Sequence, residues 1–214
     1  MIVHYLWIGS DKVPNNYFNN INHCIKLNPD CEFTVWNDEK CLELLKEYKM
    51  VDYWNSLPTL ISKCCMVRYL ILDKMGGIYT DFDIWWNKSF REILSLVYRD
   101  TDVLLSHNNY SSMMIDNKSV NVLDDPFIFS KPEVLKSCVE YCQTRTNLLN
   151  DGDIYLQTGE LKTHKLEPVG PFGLTEWLIK FNINFDSFPQ AGYLDQFKGK
   201  FGYHDQKTNW NNQI

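Results

Sequence analysis

The chain has 214 residues, 44% of them apolar and 22% charged, which is the balance of an ordinary globular domain with enough apolar mass for one substantial core. Its formal charge of −6 excludes a broad nucleic-acid-binding surface, and its apolar runs fall well short of membrane-spanning length. Seven cysteines, an odd number with no Cys-x-x-Cys pair, argue against a disulfide framework, and with no basic leader at the start the expected location is cytoplasmic.

In chain order, residues 2–8 form an apolar strand, and helical spacing over 15–27 follows a turn. Residues 32–36 alternate as a strand, and 39–48 form an amphipathic helix. Residues 60–75 are apolar almost all round, which predicts a buried helix capped by Gly76-Gly77. Further strands are expected at 103–105 and 126–129, a long helix opening with Pro132 at 132–148, a helix at 173–181 and a short strand at 183–185. The polar tail from Gly199 reads as a loop. Strands alternating with helices, with no repeat and no linker, predict a single α/β domain over 1–214 with a mostly parallel sheet flanked by helices. The Gly-x-Gly-x-x-Gly fingerprint of a dinucleotide fold is missing.

Chemistry concentrates at Asp81-Phe82-Asp83, directly after the helix, the Gly pair and a short β-type run. In a strand, side chains alternate with a rise of about 3.3 Å per residue, so Asp81, Asp83 and Tyr79 share a side. Two such carboxylates repel each other unless a cation lies between them, and oxygen donors suit a hard divalent ion, Mn²⁺ or Mg²⁺, that also takes substrate phosphates. Arg68, inside the apolar helix, needs an anionic partner: a structural one such as Asp73 or Asp81, or a bound ligand. Asp151-Gly152-Asp153 has no apolar strand before it and reads as a turn, and Cys138 and Cys142 read as buried thiols. Trp85 and Trp86 line either a cleft or the core.

Arg68-Tyr69, Gly76-Gly77-Ile78-Tyr79 and Asp81-x-Asp83 resemble the core of the DXD sugar transferases of glycosyltransferase family 32, which are related to glucosylating bacterial toxins. The opening 2–9, Asn28-Pro29-Asp30 with 33–38, Gly170-Pro171 with Leu174-Thr175, and the stretch from His204 to Trp210 resemble other parts of the same family. The resemblance implies a GT-A-type nucleotide-sugar-binding fold. It implies a retaining, metal-dependent transferase that takes a nucleotide-diphosphate sugar, UDP favoured over GDP, to a glycan or protein acceptor, as in polysaccharide biosynthesis. It assigns the metal to Asp83 and Asp81, completed by His204 or Asp205, and the donor to Arg68, Tyr79, Cys65, Thr208 and Trp210, with Trp7 stacking on the base. The family has Asp where this chain has Cys65. A thiol is a poor acceptor for sugar hydroxyls, so donor choice is expected to be relaxed or set elsewhere. Two rival readings are a non-catalytic sugar-nucleotide or glycan-binding module, suggested by Cys65, and a metal-dependent phosphohydrolase, for which no activating base stands out.

Overall fold

A computed structural model describes residues 1–9, 12–146, 169–189, 193–194 and 199–204, with backbone only at 108–111, 124 and 145–146. β1 (Ile2–Leu6) leads through α1 (Asn15–Leu27) to β2 (Glu32–Trp36), and then through α2 (Asp38–Glu47), α3 (Val51–Ser56) and α4 (Leu60–Met75) to β3 (Gly77–Thr80). β4 (Ile84–Trp86) and α5 (Phe90–Val97) precede a long hairpin of β5 (Val103–Ile115) and β6 (Lys118–Ser130). α6 (Lys136–Thr146), α7 (Pro171–Lys180), β7 (Phe185–Pro189) and β8 (Gly202–His204) complete the described elements.

Six strands form one sheet in the order β2-β1-β3-β6-β5-β7. The β1–β2, β1–β3 and β5–β7 pairs are parallel, while β3–β6 and β5–β6 are antiparallel. Alternate residues go to opposite faces, as strand geometry requires. Tyr79, Leu105 and Ile128 join the core under α2, α3, α4, α6 and α7, whereas Val3, Ile78 and Phe127 join the one under α1 and α5. Both faces are covered, as in an α/β fold with a mixed, mostly parallel sheet.

α4 is buried from Cys64 to Asp73, as an all-round apolar helix must be. Thr59 caps its start by accepting from Ser62 N–H at 3.1 Å, and Gly76, at φ 61°, closes its end on Leu72 C=O at 2.7 Å. Gly77 has φ 94°, and a Cβ there would lie 2.4 Å from Ile2 C=O. No other residue fits where β3 leaves α4 this close to β1.

Several expectations need correction. Trp7 and Ile8 lie past the end of β1, although Trp7 N–H still donates to Trp36 C=O at 2.8 Å. The short strands expected at 103–105 and 126–129 are the bases of a hairpin with 13 residues in each arm, turned at Asp116-Asn117 with φ 48° and 62°, the left-handed values that tight hairpin turns need. The helix expected from Pro132 begins at Lys136. Asp73 of α4 sets that start by accepting from Lys136 N–H through a carboxylate oxygen at 2.8 Å, and its own C=O accepts from Glu133 N–H at 2.6 Å. β7 starts at Phe185, after Asn182 at φ 49° and Ile183 N–H, bonded to Leu178 C=O at 3.0 Å, have closed α7. In the tail, 202–204 is not a loop but the strand β8, antiparallel to β4.

Candidate functional site

β3 carries the chain to the rim of the sheet, and Asp81 N–H extends the ladder by one bond to Pro126 C=O at 3.0 Å. The strand then stops. Phe82 turns inward against Tyr5 and Trp7, with ring centroids 5.1 and 5.5 Å away, and its C=O accepts from Asn20 Nδ2 at 2.8 Å. Asp81 and Asp83 do converge, but a turn around this buried Phe brings them together rather than the alternation of a continuing strand. Beyond the turn, β4 pairs with β8 and sets Ile84 opposite His204. As a result, a carboxylate oxygen of Asp81, one of Asp83 and a ring nitrogen of His204 all lie within 4.8 Å of one another.

Asp83 Oδ1 is buried and accepts no hydrogen bond from the described residues; His204 Nε2 lies 3.4 Å away. A buried carboxylate oxygen with no donor is costly unless something positive arrives. Two carboxylates and an imidazole are a suitable donor set for Mn²⁺ or Mg²⁺, so these residues fit the ion that the motif implies. Burial pushes the Asp81 carboxyl above the usual carboxylate range; Arg68 opposes that rise, and Asp83 and Asp125 add to it.

Arg68 stands behind Asp81, only 6% exposed. Its Nη2 is 3.4 Å from Asp81 Oδ1, and its guanidinium lies over the Tyr79 ring at 4.4 Å. Its nearer partner is Asp125 of β6. Nη1 lies 2.9 Å from Asp125 Oδ1 and donates to Asp125 C=O at 2.7 Å. Of the two structural partners considered from sequence, Asp81 is in place, but Asp73 is engaged with Tyr48 Oη at 2.7 Å and the start of α6. Tyr79 is buried and donates from its hydroxyl to Asp81 Oδ1 at 2.7 Å, on the side that alternation predicts.

Cys65 is brought to the same cluster but is enclosed, 1% exposed, next to Asp125 and Arg68. Trp7 is half-buried, its edge against Phe82 and Tyr17. Trp86 belongs to the core; Trp85 points outward and stacks on His23 at 4.0 Å. Cys138 and Cys142 are buried in the larger core. Asp205, Thr208, Trp210 and Asp151-Gly152-Asp153 lie outside the described residues.

Sequence reasoning missed Asp125. Its one signal is an acidic pair, Asp124-Asp125, interrupting an apolar run over 122–129. Among the described residues no helix is long and apolar enough to cross a membrane.

The family model of the glycosyltransferase sugar-binding region containing DXD motif matches residues 14–97. Inositol phosphoceramide mannosyltransferase 3 of Schizosaccharomyces pombe is 33% identical over 99 residues, 44% of this chain and 26% of that protein. An uncharacterized glycosyltransferase of Acanthamoeba polyphaga mimivirus is 26% identical over 123 residues, 55% of this chain and 49% of that protein. The chain thus spans about a quarter to a half of these curated relatives. Among solved structures, the PaToxG glycosyltransferase shares the fold, with a TM-score of 0.51 at 15% identity over 84% of this chain and 69% of that one. The helix, Gly pair and Asp-x-Asp turn that build the site all fall inside the stretch that matches this family model.

Proposed function

We propose that residues 1–214 act as one catalytic domain, a retaining glycosyltransferase that moves a sugar from a nucleotide-diphosphate donor to a glycan or protein acceptor. The observation that carries this reading is the convergence of Asp81, Asp83 and His204 around an unsatisfied buried oxygen of Asp83, the two aspartates lying inside the stretch matched by a sugar-transferase family model.

Asp83, Asp81 and His204 would hold Mn²⁺, or Mg²⁺ in its place, with Asp205 as the other candidate from the tail. When bound, the ion neutralises the charge that builds on the departing diphosphate. Asp81 is kept in register by Tyr79 and Arg68. Trp7, just past the end of β1, is assigned to the nucleobase, where a stack is worth about 1–3 kcal/mol. Thr208 and Trp210 are assigned to the diphosphate by resemblance. Among the described residues no carboxylate stands out as a covalent nucleophile, and the resemblance implies front-face displacement and an α-linked product. In that mechanism the protein supplies positioning and electrostatics.

UDP remains the favoured nucleotide. Because curated relatives are named mannosyltransferases, the donor panel must include GDP-mannose beside UDP-hexoses. The test is calorimetric titration of each donor with and without Mn²⁺, followed by product analysis. Cation-dependent donor binding with sugar transfer, or slow release of free sugar, is the expected result. Donor binding without turnover would support the binding-module reading, cleavage between phosphates would support a phosphohydrolase, and no binding with any donor would remove the proposal. A cytoplasmic location is part of the proposal, to be checked by fractionating cells that express the tagged chain.

A further inference from the structure

We infer that Asp125 is a positioning residue for the cation site: by holding most of the Arg68 charge, it leaves Asp81 able to serve as a ligand. The inference rests on the cation site proposed above.

Arg68 is buried, and a buried guanidinium requires compensation by anions. Two carboxylates contend for it. Asp125 engages Nη1 twice, through Oδ1 at 2.9 Å and its backbone C=O at 2.7 Å. Asp81 meets Nη2 once, at 3.4 Å. The pairing therefore favours Asp125. That carboxylate is itself fixed, because the fully buried Tyr69 donates from its hydroxyl to Asp125 Oδ2 at 3.0 Å. Both contacts to Asp81, from Arg68 and from Tyr79, fall on Oδ1, which leaves Oδ2 for a cation.

Charge makes the same point. Asp81, Asp83 and Asp125 are three negative charges set against the one positive charge of Arg68. With His204 neutral, the cluster is left at −2, matched to a divalent ion. Without the Asp125 charge the cluster falls to −1, and Arg68 is drawn onto Asp81 in competition with the metal.

Asp125→Asn is the direct test. The amide oxygen still accepts from Arg68 Nη1, the backbone C=O contact is untouched, and the Tyr69 hydroxyl can turn to accept from the amide. Free Mn²⁺ is followed by electron paramagnetic resonance while protein is titrated in, with and without UDP. Asp125→Asn is expected to weaken Mn²⁺ binding about 10-fold or more, the size seen when residues supporting metal ligands are lost. Tyr69→Phe keeps the charge and should stay within about 3-fold of wild type by the same measure. The double variant Arg68→Gln/Asp125→Asn returns the cluster to −2 and should recover Mn²⁺ affinity relative to Asp125→Asn alone. A purely structural ion pair predicts no such recovery. If Asp125→Asn does not fold, the double variant still decides against wild type, since near-normal Mn²⁺ affinity supports the inference and a large loss overturns it. Wild-type affinity in folded Asp125→Asn overturns this inference and leaves the proposed function standing, whereas a wild-type protein that binds no Mn²⁺ even with UDP removes both.

Discussion

The N-terminal stretch through α5 and the remainder of the chain contribute to the site in different ways. The first carries its chemistry locally: helix, Gly pair, short strand and two aspartates follow one another within 60–83, and this is the stretch the family model covers. The second contributes by register. Asp125 reaches Arg68 from 57 residues away, and His204 reaches Asp83 because β8 pairs with β4. The motif therefore marks the two carboxylates, while the residues that complete and tune the site come from segments far along the chain.

The sharpest way to break this division is at Asp83. Asp83→Asn keeps the shape of the turn but removes the charge of the buried oxygen that has no donor. Cation-dependent donor binding should fall more than about 100-fold, beyond the range for residues that merely support ligands, with the fold intact by circular dichroism. Full binding would move the site away from the motif.

Next in size is Gly77→Ala. The added Cβ would meet Ile2 C=O at 2.4 Å, with the residue at φ 94°. Left-handed strain and a backbone clash together should cost about 3 kcal/mol or more, read as a lower denaturant midpoint. A much smaller loss would mean that β3 can move away from β1 and that the Gly pair does not set the position of Asp81.

The C-terminal contribution is tested by His204→Gln. If the tail strand completes the cation site, Mn²⁺ binding with UDP should weaken about 10–100-fold, while the melting temperature without metal shifts little. Loss of stability with unchanged affinity would make His204 only a neighbour of Asp83.

The contrast also explains what the sequence made legible. α1, β2 and α4 appear at their expected boundaries because α1 and β2 carry their own periodicity and α4 is a continuous apolar run with Thr59 as its cap. The hairpin was legible only at its apolar base. Farther out, past an irregularity between His107 and Ser112, the arms are held by pairs such as Ser112 with Asn121 and Met114 with Ser119, a tertiary effect that overrides local propensity. α6 starts where a side chain of α4 caps it, which local sequence cannot show. Asp81, Asp83 and Arg68 were identifiable by chemistry, and His204 only through the resemblance, as an alternative to Asp205. Asp125 was not, because its meaning depends on a cation on another element.

The smallest effect concerns how β1 is tied to the Gly pair that launches the motif. His4 is fully buried; its Nε2 lies 3.0 Å from Gly76 C=O, and its Nδ1 lies 3.2 Å from Trp36 Nε1. A carbonyl only accepts and an indole N–H only donates, so Nε2 carries the proton and Nδ1 is bare. A second proton would face the indole N–H directly. Burial lowers the His4 pKa, and the Gly76 carbonyl and Glu32 only partly oppose it. The unfolded chain therefore takes up a proton near the ordinary value of about 6.5, while the folded chain resists until the pH is lower. Below about 6.5 the unfolded state binds more protons, so the His4 contribution is present above that pH and is lost as pH falls through the folded pKa. Asp81 acts in the opposite sense. Its raised pKa means that metal-free stability is lost as pH rises out of the carboxylate range. The two are separated by comparing wild type with His4→Gln, both without metal, in urea midpoints from pH 7.5 to 5. Gln can keep the bond to Gly76 but has no proton to gain, so the wild-type midpoint should fall toward that of the variant by the amount His4 contributes, about 1 kcal/mol. Parallel pH profiles would show that the tie between β1 and the Gly pair does not depend on the charge state of His4.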